Sequence, residues 1–158
     1  MKKLCKFSVI LAAGLIIALS FTSCGKGALN GTWVSGNESI TMKNGVFTVT
    51  AEEGEFKGKY TTSGKDNISL TIEEVRGDLF SVMGLPSNKW FTEDSLKKAI
   101  IDLLVEFGFS AAEAEQFYNE EPDLREMSTV FSSLTGTYTK DTMKINTFGD
   151  ITEYKKQK

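Results

Sequence analysis

From Gly31 onward the chain alternates apolar and polar residues in short runs separated by turn-forming residues. Ile40-Thr41-Met42-Lys43 and Val46-Phe47-Thr48-Val49 flank Asn44-Gly45, two residues that tolerate the positive φ of a type I′ hairpin turn. A two-residue turn sets Lys43 opposite Val46, Met42 opposite Phe47 and Ile40 opposite Val49. Period-two alternation then places Ile40, Met42, Phe47 and Val49 on one face. A third strand carries Phe56, Gly58 and Tyr60 on one side. Beyond the polar loop 63–67, a fourth aims Ile68, Leu70 and Ile72 inward, and Glu73-Glu74 interrupt it as a bulge. Leu79, Phe80, Val82 and Met83 read as a further strand. Later, Leu134, Gly136 and Tyr138 share one parity, and Met143, Ile145 and Thr147 another. Gly149-Asp150 is a second two-residue turn, which pairs Phe148 with Ile151 and Ile145 with Tyr154. Eight or nine short strands at close to ten-residue spacing predict a mainly β barrel or sandwich.

Between the fifth and the resumed strands the period changes. Thr92 precedes Glu93 and Asp94 as a helix cap with acids in the first turn. Leu96, Ile100, Leu103, Leu104 and Phe107 follow at helical spacing, and Gly108 ends the run. Ser110 and Glu113 form a capping box for a second helix, which passes Phe117 and Tyr118 and stops before Pro122. The result is an inserted helical hairpin at about 92–121. Its apolar face either completes the barrel core, closes over a barrel mouth as a lid, or docks a partner. Trp90-Phe91 at its entrance is either hinge packing or an exposed aromatic anchor. The acids from Glu113 to Glu126 lack the alternating Asp/Asn-Gly loop of a calcium site and read as a solvated face.

The N-terminus follows other rules. Lys2, Lys3 and Lys6 precede an uncharged stretch rich in Val, Ile and Leu, then Phe21-Thr22-Ser23-Cys24-Gly25. A basic start, an apolar run and small residues are the layout of a secretory signal. Small residues directly before the cysteine resemble the lipobox of bacterial lipoproteins, with Phe21 where leucine is usual. The resemblance implies cleavage before Cys24, whose sulfur then carries a diacylglyceryl group. Residues 1–23 are thus expected to be a removed signal peptide, 24–29 a lipidated tether and 30–158 the domain. Plain secretion and an uncleaved membrane helix are the competing readings. Two or more acyl chains hold a protein on a membrane where one holds it marginally. Gly25 in place of Asp favours the outer membrane if the cell is Gram-negative. Cys5 leaves with the signal, so disulfides contribute nothing to the mature domain.

Gly31-Thr32-Trp33, Gly58-Lys59-Tyr60 and Gly136-Thr137-Tyr138 repeat a glycine-polar-aromatic pattern at strand positions. With Leu29-Asn30-Gly31-Thr32-Trp33-Val34 opening the domain, the β portion resembles the lipocalin-like domains of bacterial lipoproteins. The resemblance covers Asn30–Met83 and Leu134–Tyr154. It implies a small antiparallel up-and-down barrel of about eight strands, with Trp33 as a structural plug at the closed end. No late-strand arginine stands ready to pack on that ring, as one does in the family. The resemblance also implies a small apolar ligand in the barrel interior, where Met42, Phe47, Phe56, Tyr60 and Ile145 would contact it. An eight-stranded barrel is just wide enough to hold one small ligand, or to be filled by side chains such as these.

Composition narrows the chemistry. The chain has no histidine, which removes the usual general base, the usual zinc ligand and the histidine-assisted nucleophiles. Glu73 and Glu74, adjacent on a strand, are expected on opposite faces and so not as a glycosidase pair. No phosphate-binding glycine loop follows a strand. The reading is of a protein that is not an enzyme and uses no cofactor or metal. Three of the 18 basic residues leave with residues 1–23 while all 21 acids remain, so the net charge moves from −3 to −6. No run of Lys/Arg supplies the basic footprint of a nucleic-acid binder, or a patch that would draw the domain onto anionic lipid. Two functions remain: a membrane-anchored envelope barrel that binds a small apolar ligand, or a filled barrel that contacts another envelope protein through its helical insertion.

Overall fold

The Asn44-Gly45 turn sets the pattern for the sheet. Both residues have positive φ, 54° and 89°, and strand β2 (Glu38–Lys43) pairs with β3 (Val46–Ala51) in the predicted register, Lys43 opposite Val46 and Ile40 opposite Val49. The structure, a computed structural model, describes residues 26–158 except Phe148; the apolar leader and Cys24 lie outside the described residues. Strands β1 (Gly31–Ser35), β4 (Gly54–Ser63), β5 (Asn67–Arg76), β6 (Ser133–Tyr138), β7 (Thr142–Thr147) and β8 (Asp150–Lys156) complete the sheet. Each pairs antiparallel with its sequence neighbour, and β8 returns to β1, closing an eight-stranded barrel. The protein is mainly β, an up-and-down lipocalin-like barrel with a helical insertion.

One bulge bends the wall. Lys57 lies opposite Glu74 and Gly58 opposite Ile72, leaving Glu73 as the extra residue. Gly58 is required there, because a Cβ would stand 1.9 Å from the Thr71 carbonyl oxygen. The bulge corrects the expectation that Glu73 and Glu74 point to opposite faces. Both turn outward, Glu74 pairing with Lys57 and Glu73 with Lys59 at 2.6 Å.

Residues 79–83 are not a strand but belong to a 3₁₀ helix, Asp78–Met83. An apolar run this short carries no periodicity to separate strand from helix. The chain then returns to the end of β5, where Val75 and Phe91 exchange backbone hydrogen bonds of 2.9 and 2.8 Å. Helices α2 (Glu93–Glu106) and α3 (Ala111–Glu120) start at the predicted caps. Thr92 and Ser95 bond reciprocally, as do Ser110 and Glu113. Pro122, expected only as a stop, also opens a further helix, Pro122–Ser128; proline's preset φ and missing N–H suit a first helical position.

The β7–β8 register differs from expectation. Thr147 lies opposite Asp150 and Met143 opposite Tyr154, a shift that leaves every side chain on its expected face. Alternation specifies only parity. The offset is settled locally, where the Gly149 N–H donates to Asn146 Oδ1 at 2.8 Å.

The barrel interior and the insertion share one apolar core. Trp33, Ile40, Met42, Phe47, Tyr60, Leu70, Met143 and Ile145 are almost wholly buried, and the core continues through Val75, Phe80, Phe91, Leu96, Ile100 and Tyr118. Among the three uses weighed for the hairpin's apolar face, this is the first: it completes the core.

Candidate functional site

Four places bear on function, beginning with the interior. Of the five residues predicted to face a ligand, Met42, Phe47, Tyr60 and Ile145 are each 1–2% exposed, and Phe56 packs against them partly buried. The fold places all five in or against one apolar core. An open groove of about 300 Å³ lies elsewhere, lined by Ser35, Gly36, Asn37, Glu38, Glu52 and Thr152. Its polar and acidic lining suits water or cations better than an apolar ligand.

The second place is one end of the barrel. Because strand directions alternate, the β2–β3, β4–β5 and β6–β7 turns gather at one end, together with the helical turn α1 (Lys26–Leu29). The last residue of the expected tether is therefore part of the fold, with Leu29 fully buried. Trp33, also fully buried, donates its indole N–H to the Leu29 carbonyl at 3.0 Å. Asn30 Oδ1 accepts from the Asn44 N–H at 3.0 Å and lies 3.4 Å from the Tyr60 hydroxyl. Lys156 reaches over the Trp33 ring, its ammonium 5.1 Å from the centroid, and donates to the Ala28 carbonyl at 2.7 Å. A cation does cover this tryptophan, and it is a lysine. The sequence signals only that Lys156 shares the inward parity of the buried Tyr154.

The third place is the groove itself, at the opposite end, where the β1–β2, β3–β4 and β7–β8 turns and the insertion gather. Tyr154, on β8, donates its hydroxyl to Glu38 Oε2 at 2.8 Å across β1. Burial first, and the bond and charge of Glu38 second, push this phenol's pKa well above the ordinary range. Nothing in the local sequence links residues 38 and 154.

The fourth place is the helical insertion. Phe91 is fully buried and meets Phe80 edge-on at 5.3 Å. Trp90 is half-buried between Lys57 and Arg76, whose charged groups lie 4.3 and 4.6 Å from its ring centre. The Trp90-Phe91 pair is hinge packing and not an exposed anchor. An exposed group of aromatic residues lies instead at the turn between α2 and α3. There Phe107 is 75% exposed, and Phe109 and Phe117, each near 40%, meet at a tilt of 45° with ring centres 5.6 Å apart. Beside them Glu113 accepts from the Ser110 hydroxyl and N–H, and these bonds hold its carboxyl below its ordinary pKa. Among the described residues no three acids come together in metal-binding geometry.

Compared with known proteins, the chain matches no family model, no curated protein and no solved structure. No helix among the described residues is long and apolar enough to cross a membrane.

Proposed function

We propose that this chain is a lipid-anchored protein of the bacterial cell envelope whose filled lipocalin-like barrel is a non-catalytic scaffold, holding the aromatic turn of its insertion toward another envelope protein. One contrast carries the reading. The interior aromatics Trp33, Phe47 and Tyr60 are packed to near-zero exposure, whereas Phe107, Phe109 and Phe117 are exposed around one turn. Clustered exposed rings rimmed by charge mark interaction surfaces more often than scattered ones do.

The anchor rests on the leader and on Cys24, two residues before α1. A lipid there enters at the α1 end, and the insertion is rooted at the other end, where Phe91 pairs with Val75. Outer-membrane attachment remains the favoured address if the cell is Gram-negative, on the Gly25 reading alone.

A photo-crosslinking residue at position 107 of the full chain, irradiated in intact cells, is expected to yield one discrete adduct. That adduct should vanish when Phe109 and Phe117 become Ser. No adduct, or the same adduct from Thr135 on the barrel wall, would overturn the partner reading. Cys24→Ala is expected to release the protein from the membrane fraction; unchanged retention would remove the anchor. A constant extra mass on the folded protein in native mass spectrometry would favour instead the small apolar ligand inside the barrel.

A further inference from the structure

The lysines whose side chains the structure describes, Lys156 aside, fall into two groups that only the fold separates. Those of the side wall and the insertion are all engaged. Lys57, Lys59, Lys97, Lys98 and Lys144 each pair with a carboxylate, and Lys89 lies 5.1 Å over the Phe91 ring. Lys43, Lys65, Lys140, Lys155 and Lys158 are exposed and make no ion pair among the described residues. Lys43 ends β2, Lys65 lies in the β4–β5 turn, Lys140 in the β6–β7 turn, and Lys155 and Lys158 at the end of β8. In an up-and-down barrel these positions share one end, the end that carries α1. The acids there are Asp66 and Asp141. Glu38, Glu52, Glu53 and Asp78 belong to the opposite end, as does the acidic insertion. Scattered over more than a hundred residues of sequence, the five lysines escape any search for a basic run.

We infer that the α1 end of the barrel is a docking face for anionic lipid headgroups, which seats the domain against the membrane and fixes which way the insertion points. Unpaired ammonium groups with few neighbouring acids create a positive potential within reach of a charged bilayer. Val46, 52% exposed on the same rim beside Lys43, adds an apolar contact at the interface. The inference deepens the anchored reading, since a chain that enters the membrane at Cys24 arrives at this end. It is independent of that reading in chemistry, because headgroup attraction needs no lipid on the protein. A short anchor alone would leave the domain free to tumble; a charged face beneath it removes that freedom.

The test uses an unlipidated mature chain, residues 24–158 with Cys24→Ser. It contains the whole barrel, which closes from strands within residues 31–156 around a core running from Leu29 to Tyr154. Co-sedimentation is measured with vesicles of phosphatidylcholine alone and of phosphatidylcholine with phosphatidylglycerol, at low and high salt. The chain is expected to bind only the anionic vesicles and to be released by salt. At about a fivefold loss in partitioning per lysine, K43E/K65E/K140E should weaken binding on the order of a hundredfold. K89E/K98E, on the insertion side, should leave it unchanged. A circular dichroism melt of each variant shows that it is folded. Three results would overturn the inference: no binding to anionic vesicles, equal binding to neutral ones, or equal loss from both sets of variants. Failure here leaves the lipid anchor standing, because Cys24→Ala in cells tests that separately.

Discussion

The phenol of Tyr154 donates to Glu38 from a buried position at the groove, and its chemistry makes this contact measurable in solution. Its pKa is raised in the fold above that of the unfolded chain. A raised value means the folded state holds the proton longer, so the linked stability is fully present below the ordinary tyrosine value of about 10 and is lost as pH rises above it. Wild-type stability is therefore expected to fall steeply in alkali. Tyr154→Phe should cost about 1–3 kcal/mol at neutral pH by losing a hydrogen bond to a carboxylate, and should flatten the alkaline slope. Chemical denaturation from pH 7 to 11 reads both; an unaltered slope in the variant would place the sensitivity elsewhere, Tyr118 being the other phenol with a raised pKa. Inward residues such as Met42, Phe47, Tyr60 and Ile145 were legible from alternation alone, and Trp33 through the resemblance its motif carries. The partnership of Tyr154 with Glu38, and of Lys156 with Trp33, was not, because these contacts join residues more than a hundred positions apart.

Helices and turns were most readable where signal and partner lie within a few residues. The Thr92–Ser95 and Ser110–Glu113 boxes and the Asn44-Gly45 hairpin all stand where local chemistry put them. Helix α2 depends on its cap to present Leu96 and Ile100 to the core. Thr92→Ala is expected to lower stability by about 1 kcal/mol, seen as an earlier denaturation midpoint with unchanged cooperativity. No shift would mean that tertiary packing alone holds the helix start. Elements were misread where the local signal is degenerate. The apolar run at 79–83 fits either strand or helix, and the fold makes it 3₁₀. The β7–β8 register was two residues out because a shift of that size keeps every face.

Closure is the property of the whole molecule. The seam between β1 and β8 rests on two registered pairs, Trp33 with Lys156 and Val34 with Lys155, extended by the Gln157 N–H donating to the Thr32 carbonyl at 2.8 Å. Ending the chain after Tyr154 removes that seam and bares two strand edges, which invite pairing with other chains. The shortened protein is expected to lose its cooperative thermal transition and to aggregate; a sharp native-like melt would show that closure is dispensable. Alternation, turn chemistry and helix caps act over a few residues, so the sequence by itself determined the β class, most strand faces, the starts of α2 and α3 and most inward residues. Tertiary structure alone decided how the barrel closes, that Lys156 covers Trp33, that both bulge glutamates face outward, that Trp90 and Phe91 pack inward, and that lysines far apart in sequence meet at one end. The reason is physical: an antiparallel barrel alternates strand direction, so residues near successive turns, however distant along the chain, come to share an end.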